Sequence, residues 1–145
     1  MVDEAILAKD SVALVTGASA GIGRAVAVAL SARGARVICA ARRLDRLEDL
    51  VAGLPGPALA FELDIADGEA VDVLLQRLPE DWRQIDILIN NAGHDLGGRQ
   101  PFHQRDASDV AAVIETNVTG MIRTTLAIVP GMRQRGRGHI VTIGS

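Results

Sequence analysis

A chain of 145 residues, 48% apolar and 23% charged, is sized for one soluble globular domain. Its formal charge of -3, with both signs interspersed, gives no electrostatic ground for a nucleic-acid partner. One cysteine, Cys39, rules out an intrachain disulfide and fits a reducing, cytoplasmic setting; no secretory leader opens the chain, and no apolar run is long enough for a membrane helix.

Ser11 to Thr16 reads as the first strand, with small and branched apolar residues and almost no alternation. Strands of that kind are buried on both faces, as in a parallel sheet. The turn Thr16-Gly17-Ala18-Ser19-Ala20-Gly21-Ile22-Gly23 follows, and a helix runs from Gly21 to Arg33 until Gly34 stops it. Arg36 to Ala41 is the second strand, Arg42 to Ala52 a second helix, and Leu54-Pro55-Gly56-Pro57 a break. Ala58 to Leu63 is the third strand, and Gly68 to Leu78 a third helix with Val71, Leu74, Leu75 and Leu78 as its stripe. Ile85 to Ile89 is the fourth strand and runs into Asn90-Asn91-Ala92-Gly93. A loop from His94 to Arg105 leads to a long helical segment, Asp106 to Arg133, whose pattern Gly120 and Pro130 interrupt. The basic turn Arg135-Gly136-Arg137-Gly138 precedes a fifth strand, His139 to Ile143.

Strands alternating with helices predict an α/β fold, a Rossmann-like doubly wound parallel sheet of order 3-2-1-4-5. Its switch point lies between strands one and four. The Gly17 turn and the Asn90 turn then meet at the carboxyl ends of neighbouring strands, where a ligand crevice is expected.

Strand, glycine turn and helix make a seat for a diphosphate, because the helix start aims free N–H groups and a positive dipole end at it. The spacing is GxxxGxG rather than the commoner GxGxxG, and a plain tight turn is the alternative reading. The end of strand two meets the adenosine ribose in such a site. An acid there would bind the free 2′-hydroxyl of NAD; here Ala41 is followed by Arg42 and Arg43, which suit the 2′-phosphate of NADP. The plainer alternative is two solvated residues opening a helix.

Asp64 could accept from the adenine amino group or simply cap a turn. Asn90 reads as structural, tying loop to strand, and Ala92-Gly93 leaves room for the backbone to pass close to a cofactor. Asn117, in mid-helix, suggests a local kink or a bound water. His94, His103 and His139 have no metal-ligand spacing and read as loop or surface residues. No metal site is expected. Cys39 is a buried small hydrophobe, and Ser145 lacks the context of a hydrolase elbow.

Together, Thr16–Gly23, Asn90–Gly93, Thr116-Asn117-Val118-Thr119-Gly120 and the stretch from Gly138 to Ser145 resemble the short-chain dehydrogenase/reductase family. Leu78-Pro79-x-x-Trp82-x-x-Ile85-Asp86-Ile87-Leu88 before Asn90 is similar to its NADP-dependent 3-hydroxy acid dehydrogenase branch. The resemblance implies an oxidoreductase that transfers a hydride between NADP(H) and a small alcohol/carbonyl substrate. It implies a cofactor set of Gly17, Ser19, Gly21, Ile22, Gly23, Arg42, Arg43, Asp64, Asn91, Ala92 and Gly93. It makes Asn117 a proton-relay residue and Ser145 the group that polarises the carbonyl. It also implies a homo-oligomer, tetramer or dimer, with the 106–133 helix in one interface.

The family's acid/base is a tyrosine in a Tyr-x-x-x-Lys motif beyond the serine. This sequence has no tyrosine, and its one lysine is Lys9. The expectation is therefore residues 1–145 as one NADP-binding Rossmann domain, truncated after strand five and inactive alone. A non-catalytic dinucleotide-binding module is the alternative.

Overall fold

The computed structural model describes residues 9–97 and 100–144. Five strands form one sheet in the order β3-β2-β1-β4-β5, and all neighbours run parallel. They are β1 (Val12–Thr16), β2 (Arg36–Ala41), β3 (Ala58–Glu62), β4 (Ile85–Asn90) and β5 (His139–Thr142). β1, β2 and β4 are apolar almost throughout because both of their faces are covered.

Among the described residues, six α-helices connect the strands: α1 (Gly21–Ala32), α2 (Leu44–Ala52), α3 (Gly68–Asp72), α4 (Leu74–Arg77), α5 (Ala107–Ile114) and α6 (Met121–Arg135). On one face, Ala13, Val15, Val37 and Cys39 of the sheet pack with Ala27 of α1 and Leu47 and Leu50 of α2. On the other, Val12, Leu14, Ile38 and Leu88 pack with Val71 of α3, Leu74 of α4, and Ile128 and Met132 of α6. This is the doubly wound arrangement that the alternation of strands and helices predicts.

β1 and β4 hold a bulge. Val12 pairs with Ile85 but Ala13 pairs with Ile87, so Asp86 is the extra residue. Its carboxylate fills the gap in the ladder, with Oδ2 accepting from Val12 N at 3.2 Å. The extra residue also explains the side chains of β4, where Ile85 and Leu88 face one layer while Ile87 and Ile89 face the other.

Three helices depart from the sequence expectation. The second helix begins at Leu44, after Arg42 and Arg43 rather than with them. The third is split at Val73, whose backbone (φ -101°, ψ 7°) leaves the helical region. Side chains satisfy both of its ends: Asp67 Oδ1 accepts from Ala70 N, and Arg83 donates to the carbonyls of Leu78 and Gln76. The long segment is broken at Glu115–Gly120 by a π-helical turn, a wider winding than the flanking helices. Pro130, by contrast, lies inside α6 without ending it. It is on the solvent side, where water can take the carbonyl it leaves free. Gly136, left-handed at φ 69°, ends α6 instead.

β5 is an edge of this sheet, mostly exposed. No helix among the described residues is long and apolar enough to cross a membrane.

Candidate functional site

The site is built from two turns that the sheet order brings together. β1 ends at Thr16, buried at 1% exposure, although its side chain is polar. Its hydroxyl is the node between the turns. Oγ1 accepts from Asn91 N and Ala92 N, both at 3.0 Å, and donates to the Ile89 carbonyl at 3.2 Å. The Asn91 amide completes the tie by donating to the carbonyls of Thr16 and Gly17 at 3.1 and 3.2 Å. Asn90, beside it, turns the other way and donates to Thr125 Oγ1 on α6 at 3.0 Å. Asn91 thus holds the glycine turn, while Asn90 is structural.

Glycine is required twice in this cradle. Gly17 sits at φ 66°, and a Cβ there would approach Ala92 Cα to 2.8 Å. A Cβ on Gly23 would collide with the Gly17 carbonyl and the Asn91 amide nitrogen. Gly23 therefore serves close packing of α1 against the turn. Neither it nor Gly21 nor Ile22 is among the crevice walls, and Ile22 is 60% exposed.

A crevice of about 320 Å³ opens above the two turns. Gly17 and Ser19 form its floor at β1, and Ala41, Arg42 and Arg43 its wall at the end of β2. Asp64 and Ile65 bound it beyond β3, and Asn91, Ala92, Gly93 and His94 beyond β4. Thr116, from the π-helical turn, closes the remaining side.

These residues fit a dinucleotide phosphate. Ala20, the N-cap of α1, makes no side-chain cap, and the first turn of α1 carries no acid. Its N–H groups can thus serve an anion. Arg42 and Arg43 are exposed at the rim, and Arg43 Nη2 donates to Ser19 Oγ at 3.2 Å. That bond joins the glycine turn to the end of β2. Asp64 closes its own turn, with Oδ1 accepting from Ala66 N at 3.0 Å, and still lines the crevice. The helix cap nearby is Asp67 instead.

Asn117 lies in the π-helical turn, where its side chain clamps a backbone unit. Its Oδ1 accepts from His94 N at 2.6 Å, and its Nδ2 donates to the His94 carbonyl at 3.0 Å. The segment around Asn117 winds as a π-helix rather than an α-helix. Ser145 lies outside the described residues. Among the described residues, no group of three or more His, Cys, Asp or Glu side chains could hold a metal ion.

Sequence reasoning gave Thr16 and Thr116 no role and read His94 as a loop or surface residue. A buried threonine directly before a glycine turn, with an Asn-Asn pair closing a neighbouring strand, was the available signal for the first. The other two border the crevice only through the fold.

Fold and crevice define a Rossmann-like α/β protein with an open site at the switch in strand order. The family model of the short chain dehydrogenases matches residues 11–145, and the chain belongs to that family. It is 42% identical over 134 residues to the NADP-dependent 3-hydroxy acid dehydrogenase YdfG of Salmonella typhi, covering 92% of this chain and 54% of that protein. A short-chain dehydrogenase from Streptomyces avermitilis superposes with a TM-score of 0.86 at 42% identity, over 95% of this chain and 50% of that one. The closed form of serine dehydrogenase complexed with NADP+ gives a TM-score of 0.86 at 40% identity, over 92% and 54%. The chain spans about half the length of these relatives.

Proposed function

We propose that the chain forms the NADP(H)-binding part of an oxidoreductase that interconverts a small alcohol and its carbonyl compound, a 3-hydroxy acid being the favoured substrate class. The observation that carries this reading is the end of β2. No acid stands there, and Arg42 and Arg43 open onto the crevice beside the uncapped start of α1. A guanidinium holds a phosphate with parallel charge-assisted bonds, whereas an acid would repel it. Relatives named for NADP dependence support the same choice.

When bound, the nicotinamide supplies or accepts the hydride. Gly17 and the start of α1 receive the diphosphate, Arg42 and Arg43 the 2′-phosphate, and Asp64 the adenine side. Ser19 steadies Arg43 across the rim. Asn117 holds the backbone at His94 and orders the proton path, and Ser145 orients the substrate oxygen. The 145 residues contain no tyrosine to act as acid/base, so this chain alone binds cofactor without turnover. The same feature favours a second reading, a dinucleotide-binding module without chemistry. The homo-oligomer belongs to the proposal too, because Ile114, Ile122 and Leu126 leave an apolar face 47–66% exposed along α5 and α6; light scattering checks it. The free, buried Cys39 suits a reducing cytoplasm.

Titration of the purified protein with NADP+ and NAD+ is the test. Binding of NADP+ at least tenfold tighter, with the preference removed by Arg42→Ala with Arg43→Ala, supports the reading. NAD+ binding as tight as NADP+ refutes it. Turnover of a 3-hydroxy acid by the 145-residue chain refutes the inactivity of the chain alone.

A further inference from the structure

Among the crevice residues, His94 carries the one imidazole, and the reading above leaves its side chain without a task. Its main chain is fixed from both sides by Asn117, so the direction of its Cβ is set. It lines the crevice, and it is half-buried while its neighbour Asp95 is exposed. Its imidazole has no hydrogen-bond partner among the described residues. A half-buried imidazole on a clamped backbone at the wall of a cavity, with no partner among the described residues, is placed to serve a ligand rather than the fold.

The sheet order says which part of the ligand. β1 is central, with β2 and β3 on one side and β4 and β5 on the other. Arg42 and Asp64 follow β2 and β3, whereas His94 follows β4. A dinucleotide lies across the crevice at this switch point. With its 2′-phosphate on Arg42 and Arg43, its second nucleotide lies over β4. We infer that the His94 imidazole binds the nicotinamide-bearing half of the dinucleotide, donating to a phosphate or ribose oxygen or accepting from a ribose hydroxyl. The inference rests on the reading of this crevice as an NADP site. It makes His94 a cofactor-binding residue rather than a loop residue.

Two probes separate the inference from that reading. Adenosine 2′,5′-bisphosphate carries the adenosine half and the 2′-phosphate and lacks the nicotinamide half; NADP+ carries both. Affinities of both are measured by calorimetry on the wild-type protein, on His94→Ala and on Arg42→Ala. The expected result is a loss of about tenfold in NADP+ affinity for His94→Ala, or ~1.4 kcal/mol, with the bisphosphate bound as in wild type. Unchanged bisphosphate binding also shows that the variant is folded. Arg42→Ala weakens both probes. Unchanged NADP+ binding by His94→Ala overturns the inference and leaves the NADP reading intact. Equal losses of both probes in His94→Ala overturn it as well, because the residue then acts on the fold or on the adenosine half. Failure of the wild-type protein to bind either probe overturns the NADP reading and the inference together.

Discussion

Asn91 donates to Thr16 twice: its side-chain amide to the Thr16 carbonyl at 3.1 Å, and its backbone N–H to Thr16 Oγ1 at 3.0 Å. Through this pair, the ends of β1 and β4 hold one another, and the glycine turn is fixed before any ligand arrives. Two substitutions read the pair differently. Thr16→Val keeps the shape but leaves the N–H groups of Asn91 and Ala92 without an acceptor, and the expected loss is about 2–4 kcal/mol in urea unfolding. Thr16→Ser keeps the hydroxyl and should cost about 1 kcal/mol or less. Equal losses for the two would mean that the hydroxyl contributes no more than the methyl group, against the role assigned to it.

Asn91→Ala removes the donor to the Thr16 and Gly17 carbonyls. The expected stability loss is about 1–3 kcal/mol, with NADP+ affinity down about tenfold because the turn is no longer held in shape. Asn90→Ala is the control. It breaks the bond to Thr125 on α6, away from the crevice, so stability should fall while NADP+ affinity is kept. Calorimetric titration of both variants, alongside their unfolding curves, separates the two neighbours.

The sheet order was legible because β1, β2 and β4 are short apolar runs set between helical patterns, a signature that needs no knowledge of distant contacts. The site was legible only in part. Gly17 and Arg42 announce themselves by local chemistry at the ends of strands. Asn90 reads as structural from the sequence too, but the partners that separate it from Asn91 do not announce themselves, since they depend on which way each side chain points from a twisted strand. The π-helical turn was hidden for a related reason. Asn117 is clamped to a backbone 23 residues away in the sequence, and no local pattern reports that partner. Asp86 looked like part of a motif before the Asn-Asn turn, yet its work is to mend the bulge between β1 and β4.

That role gives a graded prediction. The Asp86 side chain is 9% exposed; its Oδ1 accepts from Arg137 Nε at 3.1 Å and lies 3.9 Å from Arg135. Asp86→Ala leaves Val12 N without its acceptor and removes the carboxylate beside the half-buried Arg135, which keeps its bond to the Ile85 carbonyl, and a loss of about 3–5 kcal/mol is expected. Arg137→Ala removes a cation that is 65% exposed, and about 0–1 kcal/mol is expected. Urea unfolding of the two variants decides whether the carboxylate works through the ladder. Similar losses would point to the ion pair instead.

Gly120 packs the π-helical turn directly against the loop after β3. A Cβ there would collide with the Ile65 carbonyl. Gly120→Ala should therefore cost about 1–3 kcal/mol and push the turn outward, taking Asn117 away from His94. Weaker NADP+ binding should accompany the loss of stability, as His94 and Thr116 line the same crevice. Unfolding and titration of one variant measure both. Normal stability would show that the neighbouring loop yields easily.

Cys39 supplies a pH dependence whose sign is fixed. It is fully buried in β2, and burial pushes its thiol up from 9.0 to about 11. Because the folded state favours the neutral thiol, its contribution to stability is fully present below pH 9.0 and is lost as pH rises toward about 11. Cys39→Ala leaves a small cavity and should cost about 1 kcal/mol near neutrality. It also removes the ionising group, so the gap between wild type and variant should narrow by ~2 kcal/mol between about pH 8 and pH 11, and can reverse in sign. Urea unfolding of both proteins across that range is the measurement. A gap that stays constant would mean that the thiol does not titrate in the unfolded chain alone, and that solvent reaches β2 in the native state.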